Sequence, residues 1–258
     1  MKIDVILPAG GRIEGAFAAE SGTPIKALLE VGGQSILERT ISALHATGRI
    51  GKIVVIGSPE LGSHPATALA DIVLPEAESG PANIFNGLEW LKQHQPGDQS
   101  QRSTRVLILT TDLPFLTPEI ITNFLDICPE EADVCVPIIE KTEFEACFPD
   151  APNFYVPLCD GHWTLGCAFL LDPQYILRNR TPIEQAFEAR KSQFKMAKLL
   201  GPLFILRLLT RRLTVEHISR QCEQILGCKG AVVLGGAPEL AYDIDLPEEY
   251  RYALGWKQ

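Results

Sequence analysis

Residues 7 to 28 read Leu7-Pro-Ala-Gly-Gly-Arg-Ile-Glu-Gly-Ala-Phe-Ala-Ala-Glu-Ser-Gly-Thr-Pro-Ile-Lys-Ala-Leu28 and follow an apolar run, Ile3 to Leu7. The run reads as a buried first strand, and the adjacent Gly10 and Gly11 let the backbone behind it approach a ligand closely. A glycine-rich turn leaving a strand presents unpaired backbone N–H groups, which favour phosphate oxygens. Lys26, following Pro24, adds a point charge to the same stretch.

Beyond this stretch, Ala27 to Val31 reads as a short extended piece that Gly32-Gly33 breaks. Ser35 and Glu38 then form a capping box for a helix over Ser35 to Thr47. Strands are expected at Ile53 to Ile56 and Ile72 to Leu74, and alternation of strand with helix implies a parallel sheet. Ser79-Gly80-Pro81 hands over to a helix over Asn83 to His94, and the polar stretch Gln95 to Arg102 returns the chain to the sheet. Arg105 to Thr110 contains Val106-Leu-Ile-Leu109, a continuous apolar run suited to a central strand buried on both faces. Asp112 follows it, at the strand end where open α/β sheets bind ligands. Thr117-Pro118-Glu119 starts a further helix.

The pattern changes after a strand over Asp133 to Ile139. A loop-rich section carries Pro149, Pro152 and Pro157, and the segments Phe154 to Leu158 and Thr164 to Leu171 flank Asp160-Gly161, a hairpin-type turn. An antiparallel addition to the sheet is therefore expected. Thr181-Pro182-Ile183-Glu184 repeats the capping logic, and helices should dominate from there to Leu226. Ala231 to Leu234 is a late strand, and Ala241-Tyr-Asp-Ile-Asp-Leu-Pro-Glu-Glu249 leads into a C-terminal helix.

Composition narrows the function. At 258 residues, 46% hydrophobic and 21% charged, the chain is expected to form one compact domain over 1–258. A net charge of −9 argues against nucleic acid as a partner, because phosphates demand a basic surface. The absence of a long apolar run and of a leader-like N-terminus points to a cytoplasmic protein. Seven scattered cysteines form no C-x-x-C pair, so most are expected to be reduced core residues rather than zinc ligands or a redox couple. The stretch Lys191 to Leu213 combines Lys191, Lys195, Lys198, Arg207, Arg211 and Arg212 with Leu199-Leu200 and Leu203-Phe-Ile-Leu206. It reads as a buried helix packed beside a ligand site, in preference to one lying on a membrane.

Three parts can converge at one edge of a parallel sheet: the Gly10-Gly11 loop with Lys26, Asp112 after a central strand, and Asp243-Ile244-Asp245 after a late one. Carboxylates that end separate strands can hold a hard divalent ion shared with substrate phosphates. The order Leu7-Pro-Ala-Gly-Gly11, Pro24-Ile-Lys-Ala-Leu28, Val31-Gly-Gly-Gln-Ser-Ile-Leu37, Thr111-Asp-Leu-Pro-Phe115 and Asp243-Ile-Asp-Leu-Pro-Glu248 resembles the NTP-transferase superfamily, in its molybdenum cofactor guanylyltransferase-like branch.

The resemblance implies a GT-A-like, Rossmann-related α/β fold with a mostly parallel central sheet flanked by helices. It implies a Mg2+-dependent nucleotidyltransferase moving an NMP from an NTP to a phosphorylated small-molecule acceptor, with release of pyrophosphate. By the same resemblance Ala9, Gly10 and Gly11 meet the nucleotide and its phosphates, and Lys26 meets phosphate charge. Asp112 and Asp245 bind magnesium with Asp243 in reserve, and Ser79, Gly80 and Asn83 approach the base or ribose. Two departures stand out. Arg12 follows Gly11 directly instead of standing further along a Gly-x-Gly-x-Arg run, and Leu165-Gly166-Cys167 replaces a Gly-Gly-Asn segment associated with the acceptor. The second departure motivates the alternative of a nucleotide-binding or regulatory protein without turnover. A nicotinamide-dependent Rossmann enzyme is a poor match, since Gly10-Gly11-x-x-x-Gly15 is not G-x-G-x-x-G, and no P-loop motif occurs.

Overall fold

The computed structural model describes residues 2–94, 102–189 and 192–256. Most of the polar stretch Gln95 to Arg102, and Lys191 of the basic stretch, lie outside these residues. The chain begins with β1 (Lys2–Ala9) and α1 (Gly15–Ser21), then a 3-10 turn over Lys26–Leu28 and a two-stranded hairpin, β2 (Glu30–Val31) with β3 (Gln34–Ser35). The turn and hairpin stand where one extended piece was expected, with Gly32 and Gly33 at φ of 65° and 78° making the reversal. Helix α2 (Ile36–Ala46) starts as expected, the Glu38 N–H donating to Ser35 Oγ at 3.2 Å. Then come β4 (Ile50–Gly57), β5 (Ile72–Pro75), α3 (Gly80–Gln93), β6 (Arg102–Leu109) and α4 (Pro118–Ile127).

Among the described residues β5, β4, β1 and β6 lie side by side in that order, all parallel. The chain therefore moves outward from β1 through β4 to β5 and then returns to β6 on the other flank of β1. That reversal opens a crevice at the carboxyl ends of β1 and β6, and ligands of open α/β sheets bind at such points. Both faces of these strands are covered, which explains their unbroken apolar runs. Val5, Leu7, Val55, Leu107 and Leu109 pack with Leu37, Ile41 and Leu44 of α2 and with Ile121, Phe124 and Leu125 of α4. Ile6, Val54, Ile56 and Ile108 point the other way, against Phe85, Leu88 and Leu91 of α3.

The second half is mixed. Strand β7 (Val134–Glu140) runs into a helix, α5 (Lys141–Cys147), inside the section expected to be loop-rich. Phe144, 0% exposed, explains it: one buried aromatic anchors a helix too short to show a period. The hairpin at Asp160-Gly161 is present as β8 (Val156–Leu158) and β9 (Gly161–Leu165). The expected long second arm divides at Gly166-Cys167, and β10 (Ala168–Leu171) inserts antiparallel between β6 and β7. Helices α6 (Pro173–Arg178), α7 (Arg180–Ala189), α8 (Gln193–Leu209) and α9 (Val215–Leu226) follow, then β11 (Gly230–Val233), parallel to β7, and α10 (Pro247–Gly255). Thr181 is not the cap of α7. The helix already contains Arg180, and Ile183 N–H donates to Asn179 C=O at 3.2 Å, so Pro182 sits in the first turn where its missing N–H costs little.

The basic stretch departs most from expectation. Helix α8 is kinked at Gly201, with φ of 78°, just before Pro202. Leu203, Leu206, Leu208 and Leu209, expected to be buried, are exposed. An all-round apolar sequence predicts burial only if other elements surround the helix, and here it lies on the outside. No helix among the described residues is long and apolar enough to cross a membrane.

Candidate active site

The chain places Lys26 by doubling back on the glycine loop. Arg12 and Ile25 form an antiparallel bridge, Lys26 N–H donates to Gly11 C=O at 2.9 Å, and Ile13 N–H donates to Pro24 C=O at 3.0 Å. A Cβ on Gly11 would press on the lysine stem at 3.2 Å, so glycine there leaves the stem its path along the backbone. Lys26 Nζ donates to Asp112 Oδ2 at 2.5 Å and also to Asp245 Oδ1.

The two carboxylates arrive on separate loops locked to each other and to β1. Thr111 Oγ1 donates to Pro8 C=O at 2.8 Å, fixing the exit of β6 to the exit of β1. Ile244 N–H donates to Asp112 C=O at 3.1 Å, which brings in the late acidic loop. Ile244 is fully buried, so the Asp-Ile-Asp alternation turns the flanking carboxylates away from the core. Below it lies an aromatic floor in which Tyr242 meets Phe115 at 5.0 Å and Phe148 at 4.9 Å between ring centroids. On the far side Glu249 caps α10, accepting from the N–H groups of Asp245 and Leu246 at 2.6 and 2.7 Å.

Carboxylate oxygens of Asp112, Asp243 and Asp245 lie within 4.8 Å of one another. Burial, reinforced by the charges of Asp112 and Asp245, pushes the Asp243 carboxyl up to about 6. Burial works against the Lys26 ammonium, but Asp112 and Asp245 outweigh it and hold Lys26 well above the ordinary lysine value. One ammonium thus faces three carboxylates, and Asp112 Oδ1 is buried with no hydrogen-bond partner. A buried carboxylate oxygen left without a donor is costly, and a hard cation among oxygen ligands would relieve it. By donor set and charge, the three aspartates fit a divalent metal.

The remaining sequence-derived residues line the neighbouring strand ends. Ala9 closes β1 beside Gly57 of β4. A Cβ on Gly10 would run into the Glu76 carboxylate at the end of β5, so the glycine loop and the β5 exit touch. Ser79 caps α3, its Oγ accepting from Ala82 N–H at 3.3 Å, while buried Asn83 accepts from Ala77 N–H at 2.6 Å and closes the intervening loop. A Cβ on Gly80 would meet the Phe187 ring of α7 at 3.5 Å. Arg12 turns to Glu60 at 3.7 Å instead of joining the lysine and aspartates. Ser79, Gly80 and Asn83 stand on the β5 side of the crevice and are not part of the carboxylate cluster.

Two residues not singled out as site residues belong to this neighbourhood. Glu76 stands against the glycine loop, and Cys167 sits beside the carboxylates, its thiol pushed up by burial first and then by Asp243 and Asp112. Cys167 N–H donates to Leu240 C=O at 2.7 Å and its C=O accepts from Thr110 N–H at 3.1 Å, holding β10 against the site. The Leu165-Gly166-Cys167 departure marks that segment in the sequence. Glu76, one acidic residue among many at a strand end, carries no such mark.

Residues 6–200 match the MobA-like NTP transferase domain family. Among solved structures, a hypothetical transferase from Thermus thermophilus is similar at 28% identity and a TM-score of 0.81, covering 97% of this chain and 100% of its own. The 2-C-methyl-D-erythritol 4-phosphate cytidylyltransferase from Thermus thermophilus is similar in fold at 18% identity and a TM-score of 0.56, over 99% and 98% of the two chains. The 4-diphosphocytidyl-2C-methyl-D-erythritol synthase from Anaerococcus prevotii is likewise similar in fold, at 14% identity and a TM-score of 0.56, over 98% and 97%. No curated protein matches the chain.

Proposed function

The chain belongs to the MobA-like NTP transferase domain family, and on that premise we propose that it transfers an NMP from an NTP to a phosphorylated small-molecule acceptor. An oxygen of the acceptor phosphate attacks the α-phosphorus, the bond from that phosphorus to the β-phosphate bridging oxygen breaks, and pyrophosphate leaves. Such a reaction needs positioning and charge neutralisation and no protein nucleophile. The backbone at Ala9, Gly10 and Gly11 cradles the triphosphate, and Lys26 exchanges a carboxylate for a phosphate oxygen. Ser79, Gly80 and Asn83 form the side that takes base and ribose. Asp112 and Asp245, with Asp243, hold Mg2+, which when bound offsets repulsion between the two reacting anions.

The observation that carries this reading is the buried, unpartnered Asp112 Oδ1 within a cluster of three carboxylates around one lysine. Asp243 and Asp245 lie beyond the matched residues 6–200, yet Asp245 pairs with Lys26, which favours treating 1–258 as one functional unit. The test is pyrophosphate release with Mg2+ from each common NTP against sugar 1-phosphates, alditol phosphates and molybdopterin. One NTP is expected to raise the melting temperature and one acceptor class to yield pyrophosphate. Thermal stabilisation by an NTP without turnover on any acceptor would favour a nucleotide-binding or regulatory protein, and no stabilisation by any NTP would defeat both readings.

A further inference from the structure

Helix α8 carries a surface that the proposed reaction does not use. Phe194 is 79% exposed, Leu203 58%, Leu206 57%, Leu208 48% and Leu209 76%. Lys195, Lys198, Arg211 and Arg212 are exposed on the same stretch. The 27 residues from Ala189 to Val215 contain seven of the chain's 23 Lys and Arg and none of its 32 Asp and Glu. The rest of the chain is correspondingly acidic. Large apolar side chains left in water, on a stretch whose only charges are basic, mark a surface that meets a partner.

We propose that α8 is an interfacial docking helix that seats the protein on an anionic phospholipid surface. Two requirements select this occupant. The leucines need an apolar medium, and the bases need anionic charge spread alongside it; the boundary of a bilayer rich in anionic headgroups supplies both. A second copy docked face to face would bury the leucines but set the same bases against themselves. Nucleic acid would pair the bases and leave the leucines in water. The kink at Gly201-Pro202 divides the helix into two short arms, and surface docking requires no span. The surface adjoins the candidate site through α7, on which α8 packs and whose Phe187 lies against Gly80.

The test is co-sedimentation of the full chain with vesicles of phosphatidylcholine alone and of phosphatidylcholine mixed with phosphatidylglycerol, at low salt and at ~0.5 M salt. Binding is expected to the mixed vesicles, at least ~10-fold tighter than to the neutral ones and weakened by salt. Each base near such a surface contributes about fivefold, so Lys195→Glu with Lys198→Glu and Arg211→Glu should lower partitioning ~100-fold or more. Leu206→Ser with Leu209→Ser should lower it ~10-fold or more while the melting temperature stays native. No binding to mixed vesicles, equal binding to neutral ones, or binding that neither variant weakens would overturn the proposal. So would a concentration-dependent dimer, or capture of a defined acidic protein, that the leucine variant abolishes while vesicle binding stays intact. None of these readouts depends on nucleotidyl transfer, so the two proposals stand or fall separately.

Discussion

Two regions of this molecule concentrate charge of one sign, in opposite surroundings. At the carboxyl edge of the sheet, Asp112, Asp243 and Asp245 crowd a single Lys26 in a half-buried crevice, fixed by backbone hydrogen bonds and an aromatic floor. On α8 the bases stand on an exposed helix among exposed leucines. Water screens the second group, so its repulsion costs little and the charges stay spread out. The first group is screened less, and burial first, then the charges of Asp112 and Asp245, raises the Asp243 carboxyl. A buried like-charge cluster specifies a compact counter-charge at one point, whereas an exposed stripe suits an extended partner. The contrast separates the proposed chemical site from the proposed docking surface more sharply than sequence position or residue type does.

The variant expected to damage the first region most is Asp112→Asn. It keeps the shape of the side chain and removes the charge from the aspartate whose Oδ1 is buried without a hydrogen-bond partner. In the proposed reaction kcat should fall ~10³-fold or more, about 4 kcal/mol of transition-state stabilisation, with the melting temperature within a few degrees of native. A tenfold loss or less in steady-state pyrophosphate release would show that this aspartate does not carry the metal. Lys26→Met should act next most strongly, and on stability as well. It leaves three carboxylates without their ammonium, a loss of about 1–3 kcal/mol without divalent ions that Mg2+ should largely restore. Thermal melts with Mg2+ and with a chelator check this, and a melting temperature indifferent to Mg2+ would count against the three aspartates as a cation site.

Much of the first region is legible in the order of residues alone. Val106 to Leu109 is a short apolar run that suits a doubly covered strand, which puts Asp112 at the sheet edge. Gly10, Gly11 and Lys26 fall in one short stretch of the chain, and the bridge between Arg12 and Ile25 supplies the physical link. The resemblance puts Asp245 first, two before Pro247, and Asp243 in reserve, and the pattern alone does not show that both carboxylates reach Asp112. That depends on Ile244 docking into the aromatics and on its bond to Asp112, a contact between chain segments far apart. Helix α5 escapes a sequence reading for a similar reason, since its hold comes from Phe144 meeting Phe148 and Tyr242. The second region misleads because composition reports how apolar a helix is and not whether anything lies over it.

Asp243 offers a pH-dependent probe of the same contrast. Its carboxyl titrates at about 6 in the folded chain against 3.8 as the ordinary value. Between these values the folded state holds more protons than the unfolded one, so this group makes stability fall as pH rises through the window. The penalty is absent below it and fully present above it. Asp243→Asn should therefore be more stable than the parent by about 1–2 kcal/mol above pH ~6 without metal, and equal to it below pH ~4. Urea denaturation of both proteins across the window tests this, and a difference that does not change with pH would remove Asp243 from the like-charge cluster.

The smallest expected effect belongs to α8. Leu37 and Leu44 are 0% exposed, and truncating such a side chain to alanine costs about 2–5 kcal/mol because the cavity only partly collapses. Leu206 and Leu209 leave no cavity when shortened, so Leu206→Ser with Leu209→Ser should change stability by no more than ~0.5 kcal/mol. The comparison of the two leucine pairs by chemical denaturation is informative in both directions. A near-zero result agrees with a face that meets nothing in the isolated chain, as docking to a separate surface requires. A loss of ~1 kcal/mol or more that grows with protein concentration would mean that copies already cover the helix in solution, and the apolar stripe would then be an interface between identical chains despite its bases.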